Sequence, residues 1–138
     1  MPAKGLSILV AEDNEINALL MRSLLTRLGH HTVIAINGEE ALESWQAARS
    51  AGTPYDLVIM DVQMPQLDGI EAAKRIRDAE AGQASPRTPI LALTANTLIE
   101  DRYACFEAGM DGFLIKPLDR EKLAEALASL PAARHLAA

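Results

Sequence analysis

Aromatic residues are scarce in this sequence, at 4% of its 138 residues. A core cannot then be organised around rings and has to be filled by Leu, Ile, Val, Ala and Met. Cysteine is nearly missing as well: Cys105 cannot close an internal disulfide, and no metal cluster can be built on it alone. No run approaches the ~20 apolar residues of a membrane helix. The start, Met1-Pro2-Ala3-Lys4-Gly5, lacks the apolar stretch of a signal peptide. A basic stripe is lacking too, and the formal net charge is -6. Direct nucleic-acid binding and direct membrane contact are therefore not expected. No glycine-rich phosphate loop follows the first apolar run. Glu12-Asp13-Asn14-Glu15 stands there instead, and acid at that place would repel a pyrophosphate. The expectation is a cytoplasmic domain with one hydrophobic core, either alone or tethered to a membrane-bound parent.

What is present is an alternation of short apolar runs with longer helical patterns. Leu6–Ala11, Thr32–Ala35, Tyr55–Met60, Ile90–Leu93 and Gly112–Ile115 read as five strands. The apolar half of the third suggests burial on both faces. Asn14 can cap a helix carrying Ile16, Leu19, Leu20, Leu24 and Leu28 on one face, with Gly29 placed to end it. Further helices are expected from about Gly38 to Arg49, from the loop at 64–69 to about Ala79, and from strand four to Ala108 with Gly109 as its stop. The segment from Glu80 to Pro89 reads as loop. Asp119 can cap a last helix with Leu123, Ala126, Leu127 and Leu130 inward and Pro131 at its end. Five βα units imply an α/β domain, a doubly wound five-stranded parallel sheet with helices on both faces.

In such a sheet ligands bind beyond the carboxyl ends of the strands. Glu12-Asp13 follows strand one, Asp61 strand three, Thr94 strand four and Lys116 strand five. Three carboxylates, one hydroxyl and one ammonium converge on one edge. Crowded carboxylates repel one another, and a hard divalent cation relieves this; magnesium suits a few carboxylate oxygens with waters and phosphate. The backbone carbonyl of Gln63 offers one more oxygen. Asp61 is the best candidate nucleophile, since a carboxylate can carry a phosphoryl group as an aspartyl phosphate. Lys116 and Thr94 are suited to two phosphoryl oxygens.

Glu12-Asp13, Asp61-Val62-Gln63-Met64-Pro65 with Asp68-Gly69, Thr94-Ala95 and Lys116-Pro117 resemble the response-regulator receiver family, with its flavodoxin-like fold. The resemblance runs from Leu6 to Leu130. It implies a receiver domain over residues 1–130, with 131–138 as a C-terminal tail or linker stub. It implies that Asp61 is the phosphoacceptor and that Glu12, Asp13 and Asp61, with Gln63, hold Mg²⁺. Thr94 and Lys116 would then sense the phosphoryl group, and Phe113 would be the aromatic switch residue. Gln63 and Asn96 occupy the positions that tune phosphoryl lifetime. The wording Ala11-Glu12-Asp13-Asn14-Glu15-Ile16-Asn17 is closest to receivers attached to hybrid histidine kinases. A histidine kinase or histidine phosphotransfer protein is the partner this implies. The activity implied is self-phosphorylation and autodephosphorylation rather than turnover of a substrate, although a parent hybrid kinase would be an enzyme. Phosphorylation would rearrange the face made by the fourth helix, the fifth strand and the fifth helix, through which such domains can also form homodimers.

Plainer readings stand beside these. Glu12 alone fits a solvated acid, Thr94 a helix cap, and Phe113 a core aromatic. Tyr103 and Phe106 fit either core or partner contact. Cys105 and Trp45 read as packing residues, and His30 and His31 as surface. Three rival functions differ in kind. A small-molecule aspartyl phosphatase normally has a second acid where Gln63 stands and a cap domain over its site. A nucleotide-binding module lacks its fingerprint here. The remaining alternative is a degenerate receiver acting as a phosphorylation-independent docking module.

Overall fold

The computed structural model describes residues 6–61, 69–83, 88–94, 106–115 and 120–128. Within them the chain runs β1 (Ser7–Ala11), α1 (Glu15–Arg27), β2 (His31–Ala35), α2 (Gly38–Ser50), β3 (Leu57–Asp61), α3 (Gly69–Gln83), β4 (Ile90–Thr94), β5 (Gly112–Ile115) and α4 (Arg120–Ala128). The strands form one parallel sheet in the order β2-β1-β3-β4-β5. This is the flavodoxin-like doubly wound arrangement that five βα units predict.

Side chains alternate across the sheet, as the strand period of two requires. Leu9, Ala11, Val58, Met60, Ile90 and Ala92 pack against Ala41 and Trp45 of α2 and Ala72, Ala73 and Ile76 of α3. Ile8, Val10, Leu57, Ile59, Leu91, Leu93 and Leu114 pack on the other face. There they meet Met21, Leu24 and Leu25 of α1 and Leu123 and Leu127 of α4. All five residues of β3 are buried, so the middle strand is covered on both sides.

Caps set where the helices begin. Asn14 Oδ1 accepts from Asn17 N at 3.0 Å and Asn37 Oδ1 from Glu40 N at 2.8 Å, each satisfying a donor that the first turn leaves open. Gly29 (φ +91°) and Gly109 (φ +97°) occupy the left-handed region just past helical turns, the conformation glycine supplies at helix ends. Trp45 is fully buried, as a packing residue should be. Its Nε1 donates to Thr88 Oγ1 at 3.1 Å, and the Arg49 guanidinium lies 4.3 Å above its ring.

Three expectations need correction. The stripe expected to face the core on α1 is wrong in its N-terminal half: Ile16 is 77% exposed, Leu19 66% and Leu20 45%. Ala18, Met21, Leu24 and Leu25 point inward instead. The i, i+3, i+7 spacing of Ala18, Met21 and Leu25 serves the core equally well, and small Ala18 lets the helix approach the sheet. The segment from Glu80 is not loop at its start, for α3 continues to Gln83. Glu80 is buried there because it accepts from Arg77 Nη1 at 2.6 Å and from Thr88 N at 2.6 Å. His30 is also more than a surface residue: it is half-buried, and its Nδ1 accepts from Leu6 N at 2.9 Å. No helix among the described residues is long and apolar enough to cross a membrane.

Candidate functional site: the acidic carboxyl edge

The sheet order places β1 beside β3, with Ala11 paired to Met60. The chain leaves β1 toward β2 on one side, whereas β3 leads toward β4 on the other. This reversal opens a crevice at the carboxyl ends of β1 and β3, where doubly wound folds bind their ligands. Glu12 and Asp13 leave β1 into that crevice, and Asp61 is the last residue of β3.

The three acids meet. One carboxylate oxygen of each of Glu12, Asp13 and Asp61 lies within 4.8 Å of the others. Glu12 is 1% exposed and Asp61 4%, whereas Asp13 faces solvent. The plain reading of Glu12 as a solvated acid is therefore excluded. Glu12 is held from two sides: its N–H donates to Ala35 O at 2.9 Å, and its Oε2 accepts from Asn14 N at 3.1 Å. Asp61 is held by its strand, where it pairs with Leu93 of β4. The set consists of hard anionic oxygens, two sheltered and one open to water. That donor set fits a hard divalent cation that keeps several of its own waters.

The other expected site residues fall differently. Thr94 ends β4 and is paired with Ile115, and Phe113 lies in β5 opposite Ala92. The backbone of Thr94 thus reaches the carboxyl edge, while that of Phe113 lies further back in the sheet. Gln63, Asn96, Lys116 and Pro117 lie outside the described residues, as do Tyr103 and Cys105. Phe106 is exposed, which answers the choice between core and surface for that residue.

One feature near the acids was not anticipated. A groove is lined by Glu12, Asp13, Glu15, Ala18, Leu19, Arg22, Ile34 and Ile36. Of its lining residues Leu19 and Ile36 are large, apolar and exposed, and α1 exposes Ile16 and Leu20 as well. The signal for it was in the sequence, since α1 has more large apolar residues than one core-facing stripe can use. Exposed apolar residues in a group, beside a polar site, mark a place where another molecule docks more often than scattered ones do.

The family model for the response regulator receiver domain matches residues 8–128. The chain belongs to the response-regulator receiver family. It is a receiver domain of two-component phosphorelay signalling, and domains of this family are phosphoacceptor switches. It is 38% identical over 125 residues to hybrid signal transduction histidine kinase L of Dictyostelium discoideum. That match covers 90% of the chain but only 7% of the kinase, so the chain spans a small fraction of this relative's length.

Solved receivers agree. The receiver domain of a sensor histidine kinase of Pseudomonas aeruginosa PAO1 carries a magnesium ion coordinated in its active-site cleft. It is 39% identical, with a TM-score of 0.77, over 89% of this chain and 94% of that one. The receiver domain of a Saccharomyces cerevisiae response regulator was crystallised with a histidine phosphotransfer protein. It is 32% identical, with a TM-score of 0.82, over 93% of this chain and 90% of that one.

Proposed function

We propose that this receiver takes a phosphoryl group from a phosphohistidine onto Asp61, with Mg²⁺ held by Glu12, Asp13 and Asp61 and by the backbone carbonyl of Gln63. The observation that carries the reading is the convergence of three carboxylates within 4.8 Å at the β1/β3 crevice. A bound Mg²⁺ would supply neutralisation of the charge that gathers on the phosphoryl oxygens. The rest is the work of the chain's own residues. Asp61 attacks phosphorus with a carboxylate oxygen; a P–O bond forms as the P–N bond to the donor histidine breaks. Burial of Asp61 at the end of a strand fixed on both sides limits its motion and so favours alignment of the attacking atom. Thr94 donates a hydrogen bond to one phosphoryl oxygen and Lys116 balances the charge of another. Water attack on the same phosphorus ends the signal.

The partner is a histidine kinase or a histidine phosphotransfer protein. A donor must bring its imidazole to Asp61 and therefore sits over the carboxyl edge. The exposed Leu19 and Ile36 line a groove shared with Glu12 and Asp13; together with the exposed Ile16 and Leu20 of α1 they suit an apolar helix face of such a donor. The switch is a shift in the position of Thr94 and Phe113 that changes the face formed by the β4–β5 crossover, β5 and α4, biased by the new charge on Asp61. That face also offers a surface for a homodimer. The receiver unit spans residues 1–130, followed by a tail or linker stub, and it works in the cytoplasm either by itself or as part of a larger kinase.

The test is intact-mass analysis after incubation with acetyl phosphate, with and without Mg²⁺, beside Asp61→Asn. A magnesium-dependent gain of one phosphoryl group, lost in the variant, is the expected result. Labelling that persists in Asp61→Asn would move the acceptor elsewhere. No labelling in any condition, with no stabilisation by magnesium and beryllofluoride together, would favour the docking module that keeps the fold without the switch.

A further inference from the structure

The loop between β1 and α1 is only three residues long, and it carries two of the three acids. Its geometry is set by Asn14 in three separate ways. The backbone N–H of Asn14 donates to Glu12 Oε2 at 3.1 Å. The side-chain Oδ1 accepts from Asn17 N at 3.0 Å. The backbone carbonyl accepts from Ala18 N at 2.9 Å. Asn14 itself is extended, with φ -88° and ψ 120°, the backbone state an N-cap requires. The cap therefore fixes the direction in which the Asn14 N–H points, and that N–H meets the buried Glu12 carboxylate. On the opposite side, Glu12 N is tied to Ala35 O at the end of β2.

We propose that Asn14 is a positioning residue for the cation site: by capping α1 it orients the Glu12 carboxylate toward Asp13 and Asp61. This deepens the function proposed above and rests on it. The coupling runs from side chain to helix end, from helix end to backbone, and from backbone N–H to carboxylate. Groups that orient a metal's carboxylate ligands from the outer shell typically change affinity ~10–100-fold when removed. Loss of a cap leaves the N–H in place but loosens its direction, so the expected effect is at the low end of that range.

A control is built into the fold. Asn37 caps α2 in the same manner, with Oδ1 accepting from Glu40 N at 2.8 Å and its carbonyl accepting from Ala41 N at 3.0 Å. It has no hydrogen bond to Glu12, Asp13 or Asp61 among those described. The experiment measures Mg²⁺ binding by calorimetry and Mn²⁺ binding by electron paramagnetic resonance, without any phosphodonor. It compares wild type, Asn14→Ala, Asn14→Ser and Asn37→Ala, each checked for folding by thermal melting. Asn14→Ala should weaken binding about tenfold. Asn14→Ser, which keeps a capping oxygen, should restore it to within about twofold of wild type. Asn37→Ala should lose comparable stability and leave the affinity unchanged. Equal affinity in wild type and Asn14→Ala would overturn the positioning role and leave the phosphoacceptor reading intact, as would equal weakening in Asn14→Ala and Asn37→Ala. No cation binding by wild type would overturn both.

Discussion

At the amino edge of the sheet two carboxylates, Glu80 and Asp111, share the guanidinium of Arg77. At the carboxyl edge three carboxylates, Glu12, Asp13 and Asp61, gather within 4.8 Å of one another. The amino edge is closed by its own side chains. Arg77 Nε donates to Gly109 O at 2.9 Å, Nη1 to Glu80 at 2.6 Å and Nη2 to Asp111 at 2.9 Å. The same acids accept from the backbone: Glu80 Oε2 from Thr88 N and Asp111 Oδ2 from Ile90 N. Arg77 thereby joins α3 to the entries of β4 and β5. Charge there serves the fold. At the other edge three described carboxylates of one sign are held close, an arrangement that a bound cation stabilises.

Deleting one charge at each edge tests the contrast most directly. Arg77→Met should cost about 3 kcal/mol, because it leaves the buried Glu80 carboxylate without its cation. Asp61→Asn should instead raise the stability of the metal-free protein by something on the order of 1 kcal/mol, the size of like-charge repulsion at this separation. It should also remove most of the gain in stability that Mg²⁺ brings to wild type. Urea denaturation with and without Mg²⁺ measures all of these. A loss of stability in both metal-free variants would mean that the acidic edge is as structural as the amino edge.

The glycines sharpen the same comparison by position rather than charge. Gly29 and Gly109 share a positive φ, but a Cβ on Gly29 would meet open space, whereas one on Gly109 would lie 2.6 Å from Arg77 Cγ. Gly29→Ala should cost ~1 kcal/mol for the backbone alone. Gly109→Ala should cost ~2–3 kcal/mol, since the Arg77 side chain must also move. Chemical denaturation of the two variants measures the difference, and equal losses would show that the Arg77 network yields without penalty.

The carboxyl edge was far more legible in the sequence than the amino edge, for a physical reason. Glu12, Asp13 and Asp61 follow runs of apolar residues that could only be buried strands, so topology alone brings them together. Arg77 and Asp111 lie 34 residues apart. In the sequence each is one charge on a polar stretch, and nothing local distinguishes it from a solvated one. The stretch from Glu80 reads as loop because Gly82 and Ser85-Pro86 weaken the helical signal, while the partners that bury Glu80 are supplied by tertiary structure. On α1 the difficulty was an excess of signal. Two apolar stripes overlap, and periodicity does not say which faces the sheet. Ala18 decides it, because a small residue allows the close approach that Ile16 and Leu19 would block.

The smallest expected effect concerns His30, at the amino edge of β1. Its Nδ1 accepts the Leu6 N–H, and an acceptor nitrogen must be unprotonated. Burial lowers its pKa from the ordinary 6.5; nearby Asp56 opposes this, and His31 adds to it. Asp56 is itself committed to the neighbouring backbone, with Oδ2 accepting from Ser7 N at 2.8 Å. With the folded-state pKa below the unfolded one, the unfolded chain binds more protons in the interval between the two values. Stability therefore rises with pH across that interval. The contribution is fully present above about 6.5 and is lost as pH falls through the folded-state value. His30→Gln does not titrate, so its unfolding free energy should fall less steeply than that of wild type as pH drops below about 6.5. The Leu6 amide should lose exchange protection over the same range in wild type only. Parallel pH profiles would mean that the imidazole releases the Leu6 N–H without cost and that the remaining contacts, among them Asp56 Oδ2 with Ser7 N and Leu6 O with His31 N, hold this end of β1.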